Sequence, residues 1–218
     1  MLKKISAPPK FLVDKYRDWK LSDYSKKIEI FNNLAKLGQK PKAMVIACCD
    51  SRLHPTSIFR AQEGDLFIYR NIANLVPPYS PNADDYGTLA SIEYAIIELN
   101  IQHIIILGHT GCGGIKSAYN LFNDSKKSNY LFINKWLDII FPAYKNIQKE
   151  NSYQEQIDQL EQESIKISLK NLFTFPNVLS EVKNNKLKVH GLIHDIGSGV
   201  LKYLNPETEK FENIKLLI

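Results

Sequence analysis

Three short, unbroken apolar runs set what this chain can become: Met44-Val45-Ile46-Ala47, Leu66-Phe67-Ile68-Tyr69 and Ile104-Ile105-Ile106-Leu107. Runs of that length without polar alternation suit strands covered on both faces, as in parallel sheets. Between the second and third, the stretch from Asp84 to Asn100 carries Leu89, Ile92, Ala95, Ile96 and Leu99 at helical spacing. Strand, helix, strand in that order implies parallel pairing through crossover helices. The expected class is therefore α/β, a mostly parallel β-sheet flanked by helices. With 218 residues and 44% hydrophobic content, the chain can bury one substantial core. One domain over 1–218 is expected, since no repeat or linker divides it.

Ahead of the first run, about Pro9 to Gly38 reads as helical, with Trp19, Tyr24, Ile28, Ile30, Phe31 and Leu34 between lysines. Those aromatics have little of their own to pack on. Residues 1–38 are expected to form an N-terminal helical arm that lies across a partner subunit, with packing on its own domain as the alternative. Residues 39–218 form the core. A polar helical region from roughly Tyr130 to Asn171 is interrupted by Pro142, and within it Gln154 to Glu163 looks solvated, with Ile157 and Leu160 inward. Pro176 to Asn185 reads as a further helix. The tail returns to strand character over Val189 to His194 and Gly199 to Leu204, and Asn205-Pro206-Glu207 turns the chain.

Composition excludes several classes. Charged residues are 23% of the chain and no low-complexity tract is present, so the body is not disordered. The net charge of +5 comes from scattered lysines, with no aromatic-and-arginine stripe to suggest a nucleic-acid groove. The N-terminus lacks the apolar stretch of a secretory signal. No segment approaches the ~20 apolar residues that span a bilayer. Three cysteines are too few for a disulfide scaffold and suit a reducing compartment, so the expected location is the cytoplasm.

Chemistry gathers at the ends of two apolar runs: Cys48-Cys49-Asp50-Ser51-Arg52 after the first, and His109-Thr110-Gly111-Cys112-Gly113-Gly114 after the third. Two thiolates and one imidazole suit a zinc ion that keeps one position open. Strand alternation places Cys48, Asp50 and Arg52 on one side, and Cys49 and Ser51 on the other, with Cys49 toward the core. His109 and Cys112 share a glycine-rich turn, so both can converge on one ion. A helix beginning near Gly113 would favour the Cys112 thiolate at its N-terminus. Either cluster alone is a weak signal, but their pairing points to a metal.

These two clusters, and most of the stretch from Gly38 to about Tyr119, resemble the β-class carbonic anhydrases. The resemblance implies a zinc enzyme, one ion per subunit, that hydrates carbon dioxide reversibly to bicarbonate and a proton. It implies Cys48, His109 and Cys112 as zinc ligands and Asp50 with Arg52 as the neighbouring dyad. A zinc-bound hydroxide would be the nucleophile: Asp50, held ionised by Arg52, accepts its remaining proton and aims a lone pair at the substrate carbon. Two thiolates make this zinc a weaker Lewis acid than one held by three histidines. The smallest active unit implied is a homodimer, alone or within a higher oligomer, with no nucleic-acid or membrane partner.

Within the family the chain is similar to the plant-like, open-site branch, in which the aspartate stays off the metal. Gln39 matches a substrate-binding glutamine of that branch. Where the closing branch has a tryptophan three residues before the first cysteine, this chain has Val45, and His194 stands where that branch has a tyrosine. By the same resemblance, Phe67 and Tyr94 reach the substrate pocket from the partner, with Ile72 nearby. Gln39 and the Gly113 backbone amide hold the substrate oxygens. Glu98 replaces a histidine that relays protons in relatives.

Other residues receive plainer readings. His54 begins a loop or helix, His103 precedes its strand on the surface, His190 is structural, and Arg70-Asn71 serves packing or the dimer interface. Alternatives to carbon dioxide hydration are a zinc hydrolase of carbon disulfide or carbonyl sulfide on the same fold, and a non-catalytic zinc protein. A redox role for Cys48-Cys49 is the weakest, because vicinal cysteines on opposite strand faces pair poorly.

Overall fold

The computed structural model describes residues 5–82, 86–123 and 130–215. The chain divides into two compact units, Met1–Gln39 and Lys40–Ile218. In the first, α1 (Lys10–Trp19) runs into a π-helical stretch, Lys20–Tyr24, and α2 follows over Ile28–Leu37. Gly38, at φ +75°, ends α2 in a backbone region glycine enters freely. The aromatics do find partners within the unit, contrary to expectation. Trp19 lies edge-on to Phe31 at 5.9 Å and Tyr24 stacks on Phe31 at 4.9 Å. None of the residues in these helical stretches is buried, and Phe11, Leu12, Tyr16, Leu21 and Leu37 are exposed.

The second unit is a six-stranded sheet with helices on both faces. Strand β1 (Ala43–Cys48) leads through α3 (Pro55–Ile58) to β2 (Leu66–Asn71), and α4 (Tyr86–Ile97) leads to β3 (His103–His109). The start expected for α4 at Asp84 lies outside the described residues. Then come α5 (Gly113–Asn123), α6 (Leu131–Leu137), α7 (Phe141–Tyr144), α8 (Tyr153–Leu172) and α9 (Pro176–Lys183). The chain closes with β4 (Lys188–His194), β5 (Leu201–Leu204) and β6 (Phe211–Asn213). Strand order is β2-β1-β3-β4-β5-β6, parallel from β2 to β4 and antiparallel at the β5 and β6 edge.

Every residue of β1 is buried, as an unbroken apolar run at the centre of a two-sided sheet requires. Val45, Ala47, Leu107 and Leu192 belong to one core with Ile115, Ile157 and Leu160, while Met44, Ile46, Ile104 and Ile106 belong to the other with Ile92, Ile165 and Leu169. The middle helices break later than expected. Pro142 sits in the first turn of α7, where its missing N–H costs nothing. The interruption falls at residues 145–152 and ends where Ser152 and Glu155 cap α8 reciprocally.

Candidate metal centre

Parallel pairing sets Ala47 opposite Leu107, so the C-terminal ends of β1 and β3 deliver Cys48 and His109 to one sheet edge. The turn after β3 returns Cys112 to the same place. Gly111 at φ +68° makes that turn possible. Thr110 ties it down, its N–H donating to the His194 carbonyl at 3.0 Å and its hydroxyl accepting from the Ile196 N–H at 3.2 Å. One ligand atom from each of Cys48, His109 and Cys112 lies within 4.8 Å of the other two, and all three residues are buried.

The donor set fits a tetrahedral dication. Cys48 Sγ and Cys112 Sγ are 3.8 Å apart, the separation of ~3.8 Å that two Zn–S bonds of ~2.3 Å make at a tetrahedral angle. His109 Nδ1 lies 3.0 Å from the Thr110 carbonyl, which assigns the ring proton to Nδ1 and the lone pair to Nε2. Nε2 is itself buried with no hydrogen-bond partner among the described residues. The thiols share a proton: hydrogen bonding to Cys112 pulls Cys48 far below the usual thiol range, and the same contact, with burial, holds Cys112 above it. A dication coordinated to both would displace that proton.

Beside the ligands, Asp50 and Arg52 form a two-pronged pair. Arg52 Nε donates to Asp50 Oδ1 at 2.9 Å and Nη2 to Oδ2 at 2.7 Å, and the Arg52 backbone N–H adds a third bond at 3.0 Å. These donors hold the Asp50 carboxyl well below the usual carboxylate range. Asp50 Oδ2 lies 3.8 Å from His109 Nε2, so a fixed carboxylate borders the ligand cluster. Arg52 Nη2 also donates to the Gly111 carbonyl at 3.1 Å, linking the dyad to the ligand turn.

Several residues differ from their sequence reading. Cys49 is exposed rather than turned to the core. It lies one residue past β1, where strand alternation no longer carries a side chain inward. His103 is the first residue of β3, not a surface residue ahead of it, and its Nδ1 lies 3.0 Å from His190 Nε2. Arg70 does more than pack: its guanidinium donates to the carbonyls of Cys48, Asp50 and Leu53 at 2.7–3.0 Å, holding the loop that presents the dyad.

Phe67 and Tyr94 meet each other, ring centres 5.9 Å apart, but not the ligands of their own chain. Phe67 pairs with Met44, four residues before Cys48, or about 13 Å along the strand. Ile72 stays near the turn, its Cγ2 2.8 Å from where a Cβ on Gly114 would sit. Gly113 begins α5, is exposed, and has open space where a side chain would be. Gln39 is exposed at the end of the first unit.

Sequence reasoning missed Glu161. It lies in the run read as solvated, yet it is 3% exposed, and its Oε1 accepts the Cys112 N–H at 2.8 Å. Burial pushes its carboxyl up to about 7 against the pull of the Cys112 and Gly111 amides. Its four-residue spacing from Ile157 placed it on the inward face of α8.

A carbonic anhydrase family model matches residues 43–201. The chain is 38% identical to β carbonic anhydrase 3 of Arabidopsis thaliana over 184 residues, covering 83% of this chain and 70% of that protein. Its fold superposes on the β-carbonic anhydrase CcaA with a TM-score of 0.81 at 28% identity, covering 95% of this chain and 92% of the other. A tetrameric β-carbonic anhydrase of Sordaria macrospora matches with a TM-score of 0.77 at 30% identity, covering 89% and 95%. Sheet order, the Cys-His-Cys cluster and this likeness agree: the chain belongs to the β-class carbonic anhydrases.

Proposed function

We propose that the chain hydrates carbon dioxide reversibly with one zinc ion per subunit, held by Cys48, His109 and Cys112. The observation that carries this is the convergence of two buried thiols and an imidazole whose Nε2 has no hydrogen-bond partner among the described residues. Zinc in such a site supplies Lewis acidity, bringing the pKa of water toward neutrality. The protein's part is positional. Asp50, kept ionised by Arg52, would accept a hydrogen bond from the attacking oxygen and so fix its orientation toward the substrate carbon. The Gly113 N–H, at the N-terminus of α5, stabilises the charge that develops on the substrate oxygens.

Carbon dioxide is apolar, and its pocket needs apolar walls. Ile72 lines it from the same subunit. Phe67, about 13 Å down the sheet from Cys48 of its own chain, and Tyr94, in ring contact with it, serve the partner's site, so the active unit is a dimer. The exposed apolar residues of α1 and α2 suit an arm laid across that partner. The two-pronged hold of Arg52 on Asp50 keeps the carboxylate off the metal, as in an open site. The three free thiols suit the cytoplasm.

The test is stopped-flow carbon dioxide hydration by purified protein, with zinc measured on the same sample. Near one zinc per chain and rapid hydration are expected. Folded, zinc-loaded protein without hydration would overturn the reading.

A further inference from the structure

Resting on the zinc reading above, the geometry points to Glu161 as a positioning residue that sets Cys112 and Arg52 together, through the single peptide plane joining Gly111 to Cys112. Both polar ends of that peptide are engaged. Its carbonyl, on Gly111, accepts from Arg52 Nη2 at 3.1 Å, and its N–H, on Cys112, donates to Glu161 Oε1 at 2.8 Å. One rigid plane therefore lies between the dyad arginine and a carboxylate on α8. Tilting it moves the Cys112 thiolate and the Arg52 partner at once.

Two features separate this from ordinary satisfaction of a backbone donor. First, Glu161 is 3% exposed and its Oε2 has no hydrogen-bond partner among the described residues. A buried carboxylate with one oxygen unsatisfied is a costly way to meet backbone N–H groups that a hydroxyl or water could serve. Second, the direction of the N–H matters to the ligand. The amides of Gly114 and Ile115, at the start of α5, pull the Cys112 thiol down. The Cys112 N–H itself is met from α8, by Glu161, so the backbone of this residue is held from the helix that covers the sheet.

The role needs an acceptor at one place, and charge is secondary. Glu161→Gln keeps an oxygen within reach, Glu161→Ala removes it, and Glu161→Asp keeps the charge but draws the oxygen back by one methylene. The readouts are zinc loss to a competing chelator and the absorption of the cobalt-substituted protein, whose thiolate-to-metal bands report ligand geometry. Hydration kinetics follow on the same samples. Glu161→Ala and Glu161→Asp should lose zinc about 10- to 100-fold more readily, the usual cost of removing a group that orients a metal ligand. Their cobalt bands should shift and kcat should fall more than KM changes. Glu161→Gln should restore all three to within a few-fold.

Ser164→Ala, on the same helix, should lower thermal stability without moving the bands. Should Glu161→Ala fail to fold, the Gln and Asp pair carries the test alone. Wild-type spectra and zinc retention in the Asp variant, or collapse of both in the Gln variant, overturn the positioning role. Wild-type protein that holds no zinc overturns the function instead, whatever the variants do.

Discussion

Asp50 is the residue on which geometry makes the sharpest demand. Its two oxygens accept three donors from Arg52 alone, and none of these bonds is needed to hold the sheet together. Removing the carboxylate should therefore leave the fold and the Cys-His-Cys cluster in place while removing the hydrogen-bond acceptor that would orient the attacking oxygen. Asp50→Ala is expected to retain zinc, measured by metal analysis, and to lose at least about 100-fold in kcat by stopped flow. At this scale the ligands were legible because Cys48 and His109 each end an apolar run, so the sheet had to bring them to one edge. Glu161 was not, because a glutamate among glutamines reads as solvated until the inward face of its helix is known. Cys49 misled for a related reason, since strand alternation holds only while the strand lasts.

Among the elements, α8 decides how tightly the covering layer approaches the sheet. It crosses β3 and β4 over Gly108 and Gly191, where an added Cβ would stand 2.7 Å from Ile165 Cδ1 and 2.9 Å from Leu169 Cδ1. Gly108 directly precedes His109, so a helix pushed outward there disturbs the ligand edge. Gly108→Ala is expected to destabilise by about 1–3 kcal/mol, read from urea unfolding. Adding Ile165→Val, which deletes the clashing methyl, should recover most of that loss; strict additivity of the two changes would contradict the close approach. The strands β1, β2 and β3 were readable as unbroken apolar runs, even though β2 lies at the sheet's edge. β6 was not, since Phe211-Glu212-Asn213 is too short and too polar to carry a period. The break at 145–152 was hidden by Pro142, which suits the first turn of a helix as well as it suits an interruption.

For the whole molecule, pH acts on stability through groups outside the Cys-His-Cys cluster as well as through it. Burial, then the charges of His103 and Lys188, holds His190 below the ordinary histidine range. The folded chain thus binds fewer protons than the unfolded one as pH falls through about 6.5. Stability falls over that window and levels off below the depressed folded value. His190→Gln should flatten the decline in thermal midpoint between about pH 7 and pH 5; an unchanged slope would remove this histidine from the account. Chelating the metal should lower the midpoint at every pH, by an amount equivalent to about 2.7 kcal/mol where free zinc had stood at a hundredfold excess over its dissociation constant. The two thiols that make this possible are 64 residues apart in the chain and meet only when β1 and β3 pair. In the unfolded chain they are strangers, and a slip of one residue in that ladder would turn Cys48 to the wrong side. With zinc in the proposed site, metal uptake during refolding would act as a proofreader of strand register: chains that pair out of step would be left without an ion and fall behind in the competition for the native state.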